Sequence, residues 1–167
     1  IHELSQSMSL APASLYAAFG SKEALFEEAV SLYLATEAEK PWQVFEQAPR
    51  IRDGVHSLLV ETVNVLTHSG RPRGCLLVLG DKGMSPSPDS VRDVMRKQRD
   101  LKREQLLARL QRALAEGQIT AATDVDALAA SVFIFMSGLS IETADGAPKT
   151  RLLSAIGEFM SQWPAAD

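Results

Sequence analysis

The stretch of sequence that decides the fold is LSQSMSLAPASLYAAFGSKEAL, residues 4–25. Its apolar residues are spaced for two short helices joined by a tight turn at residues 8–10. Pro12 suits the first turn of the second helix, where its missing N–H costs nothing. Gly20 can end that helix in a left-handed conformation, and Ser21 can cap the helix that follows. The stretch therefore predicts a helix-turn-helix, a motif whose second helix enters the major groove of DNA.

The second helix of this motif, predicted from Pro12 to Phe19, offers small and polar side chains to a duplex. Alanines allow close approach to base edges and thymine methyl groups, and the Ser14 hydroxyl can bond a base or a phosphate. Tyr16 can reach a phosphate with its hydroxyl, and Lys22 can pair with the DNA backbone. The predicted DNA-binding residues are Pro12, Ala13, Ser14, Tyr16, Ala17 and Lys22.

The segment LYAAFGSKEALF, residues 15–26, resembles the most recognisable part of the TetR family signature. The positions that match the family pattern are Leu15, Tyr16, Phe19, Lys22, Leu25 and Phe26. The resemblance implies that the tyrosine and the lysine hold phosphates while the neighbours of the tyrosine face bases. The family's first helix, with its basic and threonine contacts, does not precede the motif here, so we expect the helix-turn-helix unit to be incomplete at its N-terminus.

The remaining sequence keeps a helical apolar spacing almost throughout, and alternation with a period of two is nowhere sustained. We therefore predict an all-α fold with two parts. Residues 1–33 form the helix-turn-helix DNA-binding unit without its first helix, and residues 34–167 form a helical ligand-binding and dimerisation domain. The resemblance implies a homodimer, a double-stranded DNA operator as one partner and a small-molecule effector as the other.

Proline, glycine and acidic residues predict several helix boundaries. Pro41 is expected to close the long helix that follows the motif. Residues 74–80 form a short apolar segment that we interpret as a helix, although a strand of that length has the same composition. Residues 87–89, Ser-Pro-Asp, are typical of a helix start. Thr123, with Asp126 three residues later, fits a variant of the capping box.

Composition limits the class of protein. Lys and Arg total 17 against 21 Asp and Glu, a formal net charge of -4, so any DNA binding must come from a local patch. The single cysteine, Cys75, cannot form an internal disulfide, which favours a reducing, cytoplasmic location. The apolar runs, such as residues 75–79, are too short to span a bilayer, and no signal peptide is evident, so no membrane partner is predicted.

The predicted effector pocket consists of aromatic, soft or isolated polar side chains on mostly apolar faces. The candidates are Trp42, Phe45, Leu59, Thr62, Val63, Leu66, Cys75, Leu79, Met95, Phe133 and Met136. These residues favour a hydrophobic or aromatic effector. The charged run of residues 92–104 mixes signs and indicates a solvated helix face, although Arg96, Arg99 or Arg103 could point inward to an acidic ligand.

The resemblance places the dimer interface on the last two long helices of each subunit. Small residues there would let helices approach closely, and apolar residues would supply buried area. The predicted interface residues are Ser137, Gly138, Leu139, Ile156, Phe159, Met160 and Trp163. The alternative is that the glycines only accommodate packing inside a monomer.

Enzymatic and metal-dependent functions find little support in the sequence. No acid–base pair, phosphate-binding glycine loop or nucleophile elbow is evident. His56 and His68 lie too far apart on one predicted helix to share a metal, and Cys75 has no evident base partner. We therefore predict a non-enzymatic regulator without cofactor or metal. The alternative is a helical dimeric ligand-binding or interaction protein without DNA-reading activity.

Overall fold

The computed structural model describes residues 1–70, 72–80 and 89–164, which form nine α-helices and no strand. The helices are α1 (His2–Ser7), α2 (Pro12–Phe19), α3 (Lys22–Thr36), α4 (Glu39–Gln47), α5 (Ile51–Leu66), α6 (Leu76–Leu79), α7 (Asp89–Ala115), α8 (Val125–Ala144) and α9 (Lys149–Ser161). The all-α prediction is confirmed. The helix α3 runs through the predicted boundary between residues 33 and 34, so the two predicted units share one helix.

The helix-turn-helix forms from local signals in the sequence. The turn between α1 and α2 contains Ser9 in the left-handed region, with a φ of 54°. Gly20 ends α2 with a φ of 77°, and its N–H donates to the Tyr16 carbonyl over 2.8 Å. Ser21 caps α3 by accepting a hydrogen bond of 3.0 Å from the N–H of Ala24. The sequence prediction for both helix ends is confirmed.

The end of α3 differs from the sequence prediction. The helix ends at Thr36, where two successive N–H groups donate to the Tyr33 carbonyl, and Pro41 lies in the first turn of the separate helix α4. The N–H groups in the first turn of a helix have no partner within the helix. Pro41, which has no N–H, is therefore compatible with the start of α4. The next helix, α5, approaches α4 closely at Gly54. A Cβ at this position would lie only 3.0 Å from the Phe45 carbonyl oxygen, so the close approach requires a glycine.

The main core lies between α4, α5, α7, α8 and α9. Its fully buried members include Phe45, Val55, Leu58, Leu59, Leu106, Leu110 and Ile156. Each such side chain stabilises the fold by about 1.5–3 kcal/mol through removal from water. Two polar ties close its edge: the Gln118 side chain accepts from the Ile51 N–H over 2.7 Å, and Arg109 donates to the Ala48 carbonyl.

A second, smaller cluster joins α3, α6 and α7. Val30, Leu77 and Met95 are its buried members, one from each helix. The short segment 74–80 contains the helix α6 rather than a strand, as predicted, and it contributes Leu77 to this cluster. The helix that follows the DNA-binding motif is therefore attached to the rest of the protein through apolar contacts with α6 and α7.

The starts of the later helices partly match the sequence. Asp124, rather than Thr123, caps α8, and its carboxylate accepts from the Ala127 N–H over 3.0 Å. The predicted cap was thus one residue early, since an aspartate next to a threonine offers an equally good acceptor. The helix α7 is described from Asp89, and the predicted start at residues 87 and 88 lies outside the described residues.

Candidate functional site

All six predicted DNA-binding side chains are exposed. Pro12, Ala13, Ser14, Tyr16, Ala17 and Lys22 lie on the surface of α2 and at the start of α3. Tyr16 is 48% exposed, whereas its neighbour Leu15 is only 3% exposed and anchors α2 to the helices beside it. The surface of α2 that carries the small and polar residues is therefore open to a large partner.

The positive charge of this surface is confined to Lys22 and the start of α3. Lys22 occupies the first position of α3, where free N–H groups and the helix dipole favour an anion. Glu23, Glu27 and Glu28 on the same helix are exposed and carry the opposite charge. Attraction to phosphates consequently depends on Lys22 and the helix start rather than on a broad basic field.

A cavity of about 70 Å³, called here the central cavity, lies between α3, α4, α5, α6, α7 and α8. Its volume is smaller than the range of about 300–1,000 Å³ that is usual for small-molecule sites, so a bound molecule would have to widen it. Its lining residues are Tyr33, Leu34, Ala38, Pro41, Trp42, Thr62, Val65, Leu66, Cys75, Leu77, Val78, Arg99, Lys102, Phe133, Met136 and Ser137. A second cavity, the side cavity, shares Tyr33, Val65 and Leu66 with it and extends along α6.

Seven of the predicted effector-binding residues reach these two cavities. Trp42, Thr62, Leu66, Cys75, Phe133 and Met136 line the central cavity, and Leu79 lines the side cavity. Phe45, Leu59, Val63 and Met95 do not line either one, because all four are 0% exposed and packed into the cores. The apolar pattern identifies the inward side of a helix, but neighbouring helices decide which inward residues border a gap.

Tyr33 is a cavity residue that the sequence analysis missed. It lies on α3, the helix that begins directly after the proposed recognition helix. Tyr33 lines both cavities, and its hydroxyl donates to the Cys75 sulfur over 3.6 Å. The Cys75 N–H in turn donates to the Ser140 hydroxyl over 2.8 Å. These bonds connect α3, the start of α6 and α8 at the cavity wall.

Two cationic side chains of α7 also line the central cavity. The Arg99 guanidinium donates to the Leu77 carbonyl over 2.6 Å, which ties α7 to α6. The Lys102 ammonium lies 4.8 Å from the centre of the Trp42 ring and 3.2 Å from the side-chain oxygen of Gln105.

The ionisation of Lys102 reflects its half-buried position. Burial lowers the pKa of Lys102 because it removes water from the ammonium, while the carboxylates of Glu39 and Glu46 oppose that shift. Of the three arginines that could have pointed inward, only Arg99 borders the central cavity. Arg96 and Arg103 are exposed and pair with Asp93 and Asp100 respectively.

A metal site was not expected from the sequence. Among residues 1–70, 72–80 and 89–164, no group of three His, Cys, Asp or Glu side chains is arranged to hold a metal ion. Cys75 is half-buried at the cavity wall and is not in a disulfide. The polar chemistry of the cavity therefore rests on hydroxyl, thiol and cationic groups.

The predicted dimer-interface residues differ in how far the chain's own core buries them. Leu139, Ile156, Met160 and Trp163 are between 1% and 8% exposed and belong to the main core of the same chain. Phe159 is half-buried and stacks on Phe135 with a ring separation of 4.3 Å. The helix α8 has a second, exposed apolar side, whereas these predicted residues of α8 and α9 pack in the chain's own core.

The apolar side of α8 that faces outward is called here the outer face and consists of Ala130, Ile134, Gly138 and Ile141. Ile134 is 72% exposed and Ile141 44%, and the spacing of the four residues places them on one side of the helix. Gly138 belongs to the predicted interface, and Ser137 next to it is half-buried. A Cβ on Gly138 would have open space around it, so the chain's own packing does not require a glycine there.

The helix α8 also corrects the expectation that every apolar run is too short for a membrane. It has 20 residues and a mean hydropathy of 1.6, which is enough to cross a bilayer by length and composition alone. Its buried residues Val132, Leu139 and Thr143 pack within the helical bundle, and an exposed apolar strip remains. A contiguous exposed apolar strip of this kind is typical of a surface that another molecule covers.

Comparisons with known proteins agree with this geometry. Residues 52–149 match the family model of the tetracyclin repressor-like C-terminal domain. The HTH-type transcriptional repressor ComR of Escherichia coli (strain K12) is 25% identical over 152 residues, which cover 90% of this chain and 72% of ComR.

A solved structure of the TetR family transcriptional regulator CifR, a cysteine mutant complexed with a 26 bp operator DNA, is also similar. It superposes with a TM-score of 0.92 at 38% identity, covering 98% of this chain and 86% of CifR. A second CifR–operator structure with a further cysteine substitution gives a TM-score of 0.90 at the same identity. Members of this family are dimeric transcription regulators rather than enzymes. The chain belongs to the TetR family of transcriptional regulators.

Proposed function

We propose that this chain is a cytoplasmic homodimeric repressor that binds an operator through α2 and leaves it when a small, largely apolar molecule occupies the central cavity. The two-part organisation supports this proposal, with a DNA-binding unit in residues 1–33 and an effector-binding and dimerisation domain behind it. The proposed DNA contacts are those predicted from the sequence, namely Pro12, Ala13, Ser14, Tyr16, Ala17 and Lys22.

The observation that carries the proposal is the position of α3. This helix begins at Lys22, directly after the proposed recognition helix, and eleven residues later its Tyr33 lines the central cavity. Val30 of the same helix is buried against Leu77 of α6. A molecule that displaces α6 or Tyr33 must therefore move the helix that holds the recognition helix.

The size of the effect follows from differential affinity. An effector can release DNA only if it binds the DNA-incompetent state more tightly than the competent one. A coupling free energy of about 1–3 kcal/mol would change operator affinity by about 5- to 150-fold. The side chains that tie α3 to the cavity wall, Tyr33 and Cys75, are placed to carry that difference.

The dimer supplies the second half of the DNA contact. Two copies of α2 must lie about 34–36 Å apart to enter successive major grooves of one DNA face. We propose that the outer face of α8, together with the outward side of α9, sets this spacing. The named CifR structures contain double-strand operator DNA, which supports DNA binding over the alternative of a dimer that has lost it.

The proposal is tested by fluorescence anisotropy with the DNA that lies upstream of the protein's own gene. We expect saturable binding that weakens as salt rises, because phosphate contacts release counterions. Adding neutral aromatic or aliphatic compounds should dissociate the complex for at least one chemical class. Binding that is equally tight to unrelated DNA, or that no effector changes, would contradict the proposed repressor mechanism.

A further inference from the structure

The central cavity combines an apolar wall with two positive charges. Most of its lining side chains are aliphatic or aromatic, and none of those described at its surface is a carboxylate. Arg99 and Lys102 enter it from α7, one helical turn apart, so their charged groups lie on the same side of the cavity. An apolar effector alone would leave the Lys102 ammonium in a site from which it had displaced water.

The two cations differ in how much the protein already satisfies them. Arg99 donates to the Leu77 carbonyl and is held in place by that bond. Lys102 has the Gln105 oxygen and the face of Trp42 as neighbours, and within the described part of the chain no ion pair joins its ammonium to a carboxylate. Burial lowers its pKa because it removes water from the ammonium, and the more distant carboxylates of Glu39 and Glu46 oppose that shift only in part.

We propose, given the repressor function above, that the effector is an amphipathic organic acid whose carboxylate binds Lys102 and Arg99 while its apolar body fills the central cavity. A carboxylate in the cavity gives the ammonium a direct ion pair, and a guanidinium beside it can donate a second hydrogen bond. Trp42, Phe133 and Met136 form the apolar surface around the remainder of the molecule. The chemical class of the effector thus follows from the sign of the charges in the cavity.

The test uses a pair of probes with one apolar body, 4-phenylbutyrate and 4-phenyl-1-butanol. Isothermal titration calorimetry on the full-length protein without DNA should show that the acid binds at least tenfold more tightly than the alcohol. Lys102→Met should remove about 10- to 100-fold of the acid's affinity, as expected for a hydrogen bond to a charged group, and should leave the alcohol unchanged. Lys102→Arg keeps the charge and should retain most of the affinity.

Lys97→Met is the matched control, because Lys97 is an exposed lysine on the same helix outside the central cavity. Its acid affinity should equal that of the wild type, and thermal unfolding of each variant checks that it is folded. Equal binding of the two probes, binding of neither, or an acid affinity that Lys102→Met does not change would overturn the inference. If only the alcohol releases the operator, the repressor function stands and the acid effector is wrong. If the acid binds but the operator is not released, the acid site stands and the proposed repressor mechanism is wrong.

Discussion

At the scale of single residues, Lys22 and Tyr16 make different predictions although both are proposed to contact phosphates. Lys22 carries a full charge at the start of α3, whereas Tyr16 offers a neutral hydroxyl from α2. Loss of a charge changes the number of counterions released on binding, but loss of a hydroxyl does not. The salt dependence of operator binding therefore separates the two contributions.

We expect Lys22→Met to weaken operator binding about tenfold or more and to lower the slope of log affinity against log salt by about two, one contact from each subunit of the dimer. Tyr16→Phe should weaken binding by about 1–3 kcal/mol for two lost hydrogen bonds, with the slope unchanged. Anisotropy at four or more salt concentrations measures both quantities. Lys97→Met serves as the control, and an unchanged slope for Lys22→Met would exclude the proposed phosphate contact.

Gly20 is a residue whose backbone, rather than its side chain, matters. Its φ of 77° and ψ of -51° lie outside the regions that residues with a Cβ adopt readily, yet a Cβ there would meet no atom within 4 Å. We expect Gly20→Ala to lower the free energy of unfolding by about 1–3 kcal/mol through backbone strain alone. Chemical denaturation of the purified dimer measures this change, and an unaltered midpoint would show that the turn relaxes without cost.

At the scale of helices, α3 is the element that joins the two functions. Tyr33 contacts Cys75 across the cavity wall through a long hydrogen bond, so its hydroxyl can report on the contents of the cavity. Tyr33 lies about three turns along α3 from Lys22, too far to touch DNA itself. A change at its hydroxyl should thus affect the response to effector more than operator affinity.

We expect Tyr33→Phe to keep operator affinity within about threefold of the wild type while reducing effector-induced release by about fivefold or more, in keeping with a coupling of about 1 kcal/mol. Anisotropy titrations with and without a releasing compound give both values. Thr36→Val, a similar loss of a hydroxyl on the exposed side of α3, should behave as the wild type. Equal loss of response in both variants would contradict a specific role for Tyr33.

The helices also show how far the sequence predicts this structure. Gly20 and Ser21 define the ends of α2 and α3 because their signals are local and depend only on backbone conformation. The same rules fail at Pro41, since a proline stops one helix and starts another with equal ease. Only the packing of α4 on α5 decides between the two.

The cavity was less predictable than the helices for a related reason. Thr62 and Trp42 were identified because a polar or large aromatic residue on an apolar stripe stands out. Lys102 was missed, since a lysine in a run of mixed charge is usually solvated. Whether it turns inward depends on the position of Trp42 some sixty residues earlier, which no local pattern encodes.

At the scale of the whole molecule, function requires two subunits at a fixed separation, and the outer face of α8 is the surface available for their contact. Ile134 is the most exposed large apolar residue among those described, at 72%. A helix with such a strip gains stability when a second apolar surface covers it. In a symmetric dimer each substitution occurs in both subunits, so one substitution at this position places two charges in the interface.

We expect Ile134→Asp to convert the dimer into monomers and to abolish operator binding at concentrations where the wild type is saturated, because two carboxylates would be buried without partners. Analytical ultracentrifugation gives the oligomeric state, and anisotropy gives the affinity. Leu32→Asp replaces another large residue, 65% exposed on α3, and should leave the dimer intact. A stable Ile134→Asp dimer would place the subunit contact elsewhere, and the spacing of the two recognition helices would then depend on a different surface.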